Sequence, residues 1–505
     1  MGNKLGNNEK PEKNDEKYGK FQQPLILTPT NTTPLENINI DNLINEFQTD
    51  PEKYMQCLQK IRMIFQRTKQ CDSTVNIIQN FIPNIKRLCN LIMSIKKEEK
   101  DKYICLSCLL GAFMGDALGD DCEFQEYDLG NYKKILSPEG PWPPGEITDD
   151  SEMALSLTYA IMDLPDISTL DTKYLFFYHG IWIETAPIAA GAATKNSLRL
   201  FNYKDHTKLL YNDTKDKEEE NDKIMGEIVE TIKKINIKTL ANGHLMRCSA
   251  FHVWYYYLHK KDIEELLKSN EKKKFLKLYQ DMKAELVKDS CLTHPNEEMP
   301  IIASIFSFMV QCSLFGYSAK SILTKLNNLL SNEIFDVEES LENKVKKLIN
   351  DTLDDFMKKD FDKNTYFNDM YRFMGFYVHA IRLSLYFLYD FDNIQPMKGY
   401  TKYRTIMNHI NNFGGDTDTN SAIVGQVIGP LIGFDNFGEK ELRLILNFVS
   451  PSRFQYSASM VYFFIHYLEK MTKKKLEENV NKIPRFNFIR YLLKMIYSEN
   501  ILQEI

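Results

Sequence analysis

Apolar residues first gather at helical spacing between Asp41 and Ile95, where Leu43, Ile44 and Phe47 are followed by Met55, Leu58, Ile61 and Phe65. Recurrence every three or four positions marks one face of a helix. Residues 39–100 are therefore expected to form a small helical extension packed on a larger domain. Residues 1–38 show no such period and are rich in Asn, Lys, Glu and Pro. A segment of that composition cannot bury enough apolar surface to order itself, so it is expected to be disordered. Residues 101–505 carry long amphipathic patterns at Ala154–Met162, Leu245–Leu258, Ile301–Phe315, Tyr371–Tyr389, Ser421–Ile432 and Met460–Met471. Strand-like alternation is scarce and no strand–helix–strand rhythm appears. The expected class is all-α, with helices wrapped around a central core. Charge-dense stretches at Lys204–Lys223, Lys260–Lys274 and Asn332–Lys363 read as surface insertions or solvated helices.

Composition narrows the function classes. A hydrophobic fraction of 43% over 505 residues is enough for one large core or two ordinary ones. The formal net charge of −6 with 26% charged residues argues against nucleic acid, whose binding rests on a basic face. Residues 1–20 are polar and lack the apolar core of a signal peptide. The longest uncharged stretch, Ile301–Ala319, contains serines, Gln311 and Gly316, so it is expected to be a buried core helix and not a membrane span. The start Met1-Gly2-Asn3-Lys4-Leu5-Gly6 resembles an N-myristoylation signal but has Gly6 where Ser or Thr belongs, which leaves lipid attachment open. The nine cysteines are scattered. Cys105 and Cys108 have redox or zinc spacing but no second pair, and they read as core residues of a chain in a reducing compartment, the cytoplasm with the nucleus not excluded.

Three clusters set polar, helix-unfriendly residues directly against apolar helical runs. In Gly145-Glu146-Ile147-Thr148-Asp149-Asp150-Ser151-Glu152 the adjacent carboxylates either cap a helix or supply hard oxygen ligands to a divalent cation. In Asn412-Phe413-Gly414-Gly415-Asp416-Thr417-Asp418-Thr419-Asn420 a tight turn with alternating oxygens again precedes an apolar helix, in which Gly425 and Gly429 allow close packing. Two such turns in one chain favour one shared metal site. In Gly111-Ala112-Phe113-Met114-Gly115-Asp116-Ala117-Leu118-Gly119-Asp120-Asp121-Cys122-Glu123-Phe124, small residues permit close helix packing and Glu123 suits a carboxylate held partly out of water. Asp116, Asp120 and Asp121 can merely cap or solvate that turn, the preferred reading for Asp120 and Asp121.

Gly115-Asp116-Ala117-Leu118-Gly119 with Glu123, Thr148-Asp149-Asp150-Ser151 with Met153, and Gly414-Gly415-Asp416-Thr417-Asp418-Thr419-Asn420 resemble motifs of the ADP-ribosylglycohydrolase family. Asn242-Gly243-His244-Leu245-Met246-Arg247 and Thr293-His294 fit two more, and all five occur in family order. The resemblance implies an orthogonal all-α domain with two magnesium ions, or manganese, in a cleft. It further implies that Thr148, Asp149, Asp150, Asp416, Asp418 and Thr419 are metal ligands. Glu123 matches a glutamate that contacts one metal and has an acid/base role, with Asp149 beside it in the catalytic set. Asn242, Gly243 and His294 fall in segments lining an ADP-ribose pocket.

The implied reaction is magnesium-dependent cleavage of the glycosidic bond between ADP-ribose and a modified protein or small acceptor. Two departures bear on specificity. Many relatives have Pro-x-Asp-x-Gly at Pro187-Ile188-Ala189-Ala190-Gly191, where the aspartate is linked to arginine acceptors; here Ala189 leaves serine-linked or O-acetyl substrates open. His244 replaces a small residue and is expected to narrow the pocket. Two other classes compete: an inactive ADP-ribose-binding descendant of the fold, and a different two-metal hydrolase. Arg247 reads equally as a buried ion-pair residue or a ligand contact, and His179 and His252 as core residues. Trp142, among Pro141, Pro143 and Pro144, reads as loop packing or a base-stacking side chain.

Overall fold

The computed structural model describes residues 72–124, 143–202, 206–210, 215–269, 271–450 and 453–476, with 491, 492 and 495. The expectations for residues 1–38 and 39–71, for Gly2 and for Trp142 lie outside the described residues. The described chain is all-α, as the periodicity predicts. The helices that matter below are α1 (Asp72–Ser94), α2 (Lys100–Gly119), α3 (Asp149–Met162), α4 (Thr172–Glu184), α5 (Lys215–Asn236), α6 (Ser249–Ser269) and α7 (Lys272–Ser290). They are followed by α8 (Glu298–Leu314), α9 (Leu341–Phe356), α10 (Tyr377–Tyr389), α11 (Lys402–Phe413), α12 (Thr417–Ile432), α13 (Glu439–Asn447) and α14 (Val461–Leu476). Among the described residues the one extended pairing is a single bridge between Ala241 and Phe376.

Two helices form the centre. Every residue of α2 from Cys105 onward is buried, as is every residue of α12 from Thr417 to Pro430. A helix apolar on all sides belongs inside a large fold. The segment Lys100–Cys122 is long and apolar enough to cross a membrane, but 94% of its apolar window is buried within the protein. Helix α8 is likewise fully buried, as expected for the uncharged stretch from Ile301.

The two central helices run antiparallel and touch backbone to backbone at four-residue intervals. A Cβ on Gly429 would lie 2.2 Å from the Ser107 carbonyl oxygen, and one on Gly425 2.1 Å from that of Gly111. One on Gly115 would lie 2.3 Å from the Ser421 oxygen, and one on Gly119 2.5 Å from the Asp418 Cα. Only hydrogen fits at these positions, so the small residues dictate the register. Asn411 Nδ2 and Thr417 Oγ1 donate to the carbonyls of Leu118 and Gly119, each at 2.7 Å, satisfying the otherwise orphaned end of α2. The last step of the seam delivers Asp418 to that end.

The described part of the N-terminal extension, α1, packs through Phe81 on Phe454 (ring centroids 5.1 Å) and through Asn84, which donates to the Met495 carbonyl. One expected helix begins later than its pattern. Apolar spacing starts at Tyr371, yet the helix starts at Tyr377, because Gly375 adopts φ +74° and breaks the chain there. Tyr371, Phe373 and Met374 are consequently exposed.

Candidate metal centre and substrate pocket

The C-terminal end of α2, the N-terminus of α3 and the N-terminus of α12 converge. Asp116, Asp150 and Asp418 bring carboxylate oxygens within 4.8 Å of one another, and so do Glu123, Asp416 and Asp418. Asp418 belongs to both groups. Residues some 300 positions apart in sequence thus share one acidic centre. Asp116 was open between cap and site in the sequence and proves to be its organiser. Its carboxylate accepts from the Thr148 amide (3.1 Å) and hydroxyl (2.8 Å) and from the Ser151 amide (3.1 Å) and hydroxyl. The head of α3 is thereby tied to α2. One oxygen of Asp150 lies 3.1 Å from the same Thr148 hydroxyl, whose single hydrogen is closer to Asp116, while its other oxygen is buried with no hydrogen-bond partner.

Asp149 lies in neither triad. Its carboxylate lies near the Gly191 backbone N–H and faces Asp116 and Asp416. Asp416 caps α12 and accepts from Asn242 Nδ2 at 2.7 Å; Asp418 accepts the Thr419 amide at 2.7 Å. Thr419 is buried, and its hydroxyl interacts with Asp150. The expectation that Asp120 is a solvated turn residue is not met. It is buried, and one of its carboxylate oxygens has no partner.

The electrostatics are those of like charges without a counter-ion. Burial, then the facing Asp416 and Asp149, pushes Glu123 up to about 8. Burial with Asp116 and Asp416 takes Asp149 up to about 7, and burial with Asp116 takes Asp120 up to about 9. Burial and the neighbouring carboxylates hold Asp150 and Asp418 well above the usual range. Asp116 rises to about 6 by burial despite its four donors. Among the described residues no lysine, arginine or histidine pairs with Asp116, Glu123, Asp149, Asp150, Asp416 or Asp418. The nearby cation Arg453 is occupied, bridging Glu152 (2.6 Å) and Glu146 (2.7 Å), with Trp182 Nε1 also donating to Glu152. A hard-oxygen donor set, an unpartnered buried carboxylate oxygen and uncompensated negative charge fit a pair of divalent cations.

The opposite wall is the turn Asn242–His244, bound to the segment before α10. The Asn242 amide donates to the Gly375 carbonyl at 2.8 Å, and the Tyr377 amide to that of Leu240 at 3.1 Å. A Cβ on Gly375 would point at Asp416 Oδ2 from 3.6 Å, which places this glycine at the centre. Nothing in the sequence announced Gly375, because it falls inside the apolar pattern that starts at Tyr371 and reads there as one more helical position. Gly243 lies against the ring of His294. His244 does not narrow the pocket, contrary to expectation: it is fully buried and directed at Asp289, 3.3 Å away. Arg247 is the buried ion-pair residue of the two readings, with Nε 2.8 Å from Asp289. His179 bridges Ser156 and Asp289, and His252 meets Ser307, as core residues should.

A family model described as ADP-ribosylglycohydrolase matches residues 97–452, well over half of the chain. The chain belongs to the ADP-ribosylglycohydrolase family. Membership makes it a glycosidic-bond hydrolase by class. A putative ADP-ribosyl glycohydrolase of Acanthamoeba polyphaga mimivirus is 26% identical over 361 residues, covering 69% of this chain and 92% of that protein. The ADP-ribosyl-[dinitrogen reductase] glycohydrolase of Rhodospirillum rubrum is 30% identical over 118 residues, 21% of this chain and 38% of that protein. A solved structure of an ADP-ribosylglycohydrolase-related protein complex aligns with a TM-score of 0.41 and 18% identity over 69% of this chain and 98% of its own. The family match begins just before α2 and ends just before Arg453, so both central helices and both walls lie inside it.

Proposed function

We propose that this chain hydrolyses the bond between ADP-ribose and a modified acceptor, using two magnesium ions, or manganese, held by the two carboxylate groups that share Asp418. The observation that carries this reading is that sharing: one aspartate common to two triads suits two adjacent ions. Asp116, Asp150 and Asp418 would hold one ion, and Glu123, Asp416 and Asp418 the other, with the Thr148 and Thr419 hydroxyls beside Asp150. When bound, such a pair polarises ribose oxygens and acidifies a water.

The rest falls to the protein. Cleavage at a ribose passes through an oxocarbenium-like transition state, so the sugar must be held still while water is aimed at the anomeric carbon. Asn242, Gly243 and His294 form the wall that would hold the nucleotide, and Asn242 also fixes Asp416 in place. Glu123 is less buried than the triad aspartates, where it can exchange protons with solvent and serve as acid or base. Asp149, outside both triads and beside the Gly191 amide, would orient the incoming water. Ala189 adds no charge beside that amide, which favours acceptors other than arginine. The cytoplasmic setting stays part of this proposal.

Purified protein supplied with ADP-ribosylated arginine, serine and O-acetyl substrates should release free ADP-ribose only with magnesium or manganese. Asp416→Ala and Glu123→Gln should each abolish release. Tight ADP-ribose binding with no turnover on any linkage would instead establish a binding descendant, and phosphate release from monoesters a different two-metal hydrolase.

A further inference from the structure

Beneath the nucleotide wall lies a hydrogen-bonded chain that assigns a proton. Arg247 is fully buried and reaches both pocket segments at once. It donates from Nη1 to the Gly243 carbonyl at 3.3 Å and from Nη2 to Thr293 Oγ1 at 2.9 Å. Its charge is balanced by Asp289, which accepts from Nε at 2.8 Å. A guanidinium only donates, so Thr293 Oγ1 must accept from it. The Thr293 hydroxyl hydrogen has one other partner among the described residues, His294 Nδ1 at 2.9 Å. Were Nδ1 protonated, that hydroxyl hydrogen would be left buried and unpaired, which buried donors avoid. Nδ1 therefore accepts, and the ring proton resides on Nε2.

Burial, with the Arg247 charge next, keeps the imidazole well below its usual range and hence neutral. The Nε2 edge has no partner among the described residues and lies where a Cβ on Gly243 would sit 3.0 Å away. We propose that Arg247 and Thr293 are positioning residues that fix His294 as a neutral Nε2–H donor, and that this donor meets a phosphate oxygen of the ligand at Gly243. The assignment of the ligand rests on the ADP-ribose reading above; the assignment of the proton does not. A neutral donor recognises the diphosphate without adding a second positive charge to a wall whose guanidinium is already paired.

The tautomer is read in the full chain carrying 15N-labelled histidine, by long-range proton–nitrogen correlation, with the His294 signal identified by its loss in His294→Asn. The expected pattern in the free protein at neutral pH is a neutral ring protonated at Nε2. Thr293→Val should change that pattern, and Thr293→Ser should preserve it. Calorimetry with ADP-ribose, ADP and adenosine supplies the second readout. Thr293→Val should weaken ADP-ribose and ADP by about tenfold or more, leave adenosine within about twofold, and be rescued by Thr293→Ser. An imidazolium or an Nδ1-protonated ring in the parent overturns the relay. An equal loss for adenosine overturns the phosphate contact. A parent that binds none of the three defeats the ADP-ribose reading while leaving the spectroscopic result to judge the relay.

Discussion

The seam between α2 and α12 and the acidic centre at its end are built from the same two helices and obey opposite rules. Along the seam, glycines bring backbones into contact, and the Leu118 and Gly119 carbonyls at its end accept hydrogen bonds from Asn411 and Thr417. One helical turn further on, carboxylates from three helix ends face one another, one oxygen of Asp150 has no partner, and burial raises the proton affinity of most of the cluster. The first arrangement lowers the free energy of the fold. The second raises it, and it persists because the seam fixes the helices too firmly for the acids to separate. A protein stores strain of this kind where a ligand is to relieve it.

The comparison breaks most severely if the seam is opened. In Gly425→Val the new Cβ would meet the Gly111 carbonyl oxygen at 2.1 Å, an obstacle of backbone that no rotamer change removes. Overpacking in a core costs about 1–3 kcal/mol and sometimes more, and this position belongs at the upper end. Chemical denaturation should show that loss, and turnover should vanish with it, because Asp418 is carried away from Asp116. Wild-type stability together with full activity would show that the seam does not set the site.

Asp418→Asn should separate the two regions by giving effects of opposite sign. Release of ADP-ribose should fall by about a thousandfold or more, since both triads lose their common carboxylate, an amide keeping one oxygen and no charge. The metal-free protein should nevertheless gain stability, because one of the crowded charges is gone. The pH dependence sharpens this. Carboxyl groups whose folded values are raised hold protons that the unfolded chain has released, so stability falls as pH rises. With Asp116 at about 6, Asp149 at about 7, Glu123 at about 8 and Asp120 at about 9, the metal-free parent should lose stability from pH 5 to pH 9. Magnesium should flatten that slope in the parent and leave it unchanged in Asp418→Asn. Thermal melts with and without chelator decide it. A metal-free parent more stable at pH 9 than at pH 5 would contradict the electrostatic picture.

Much of this was legible in the sequence for a physical reason. The acidic turns sit where polar residues interrupt an apolar period, and such interruptions stand out in a single chain. The small residues of both central helices announced close packing, although not that the two helices were each other's partner. What escaped is equally instructive. Asp116 resembles an ordinary helix-end aspartate, and only the fold shows Thr148 and Ser151 converging on it. Gly375 matters because its loop is pinned to Asn242, a contact between segments far apart in sequence. Asp289 sits in a charge-dense helix whose inner face is invisible without its neighbours, so its pairing with Arg247, His179 and His244 could not be read in advance.

The smallest expected effect concerns the acceptor. The Gly191 amide lies beside Asp149, so in the proposed reaction the Ala189 side chain, two positions earlier, would border the acceptor. Ala189→Asp would add a carboxylate outside both triads, where it neither replaces a ligand nor enters the seam. Its charge would act on the acceptor through partly solvated space. At about 10 Å and an effective dielectric near 20, that amounts to roughly 1–2 kcal/mol in favour of a cationic group. The ratio of turnover on arginine-linked to serine-linked ADP-ribose should therefore rise by about tenfold, with thermal stability unchanged. If both substrates instead fell together, the new carboxylate would be competing within the acidic centre itself and not acting on the acceptor.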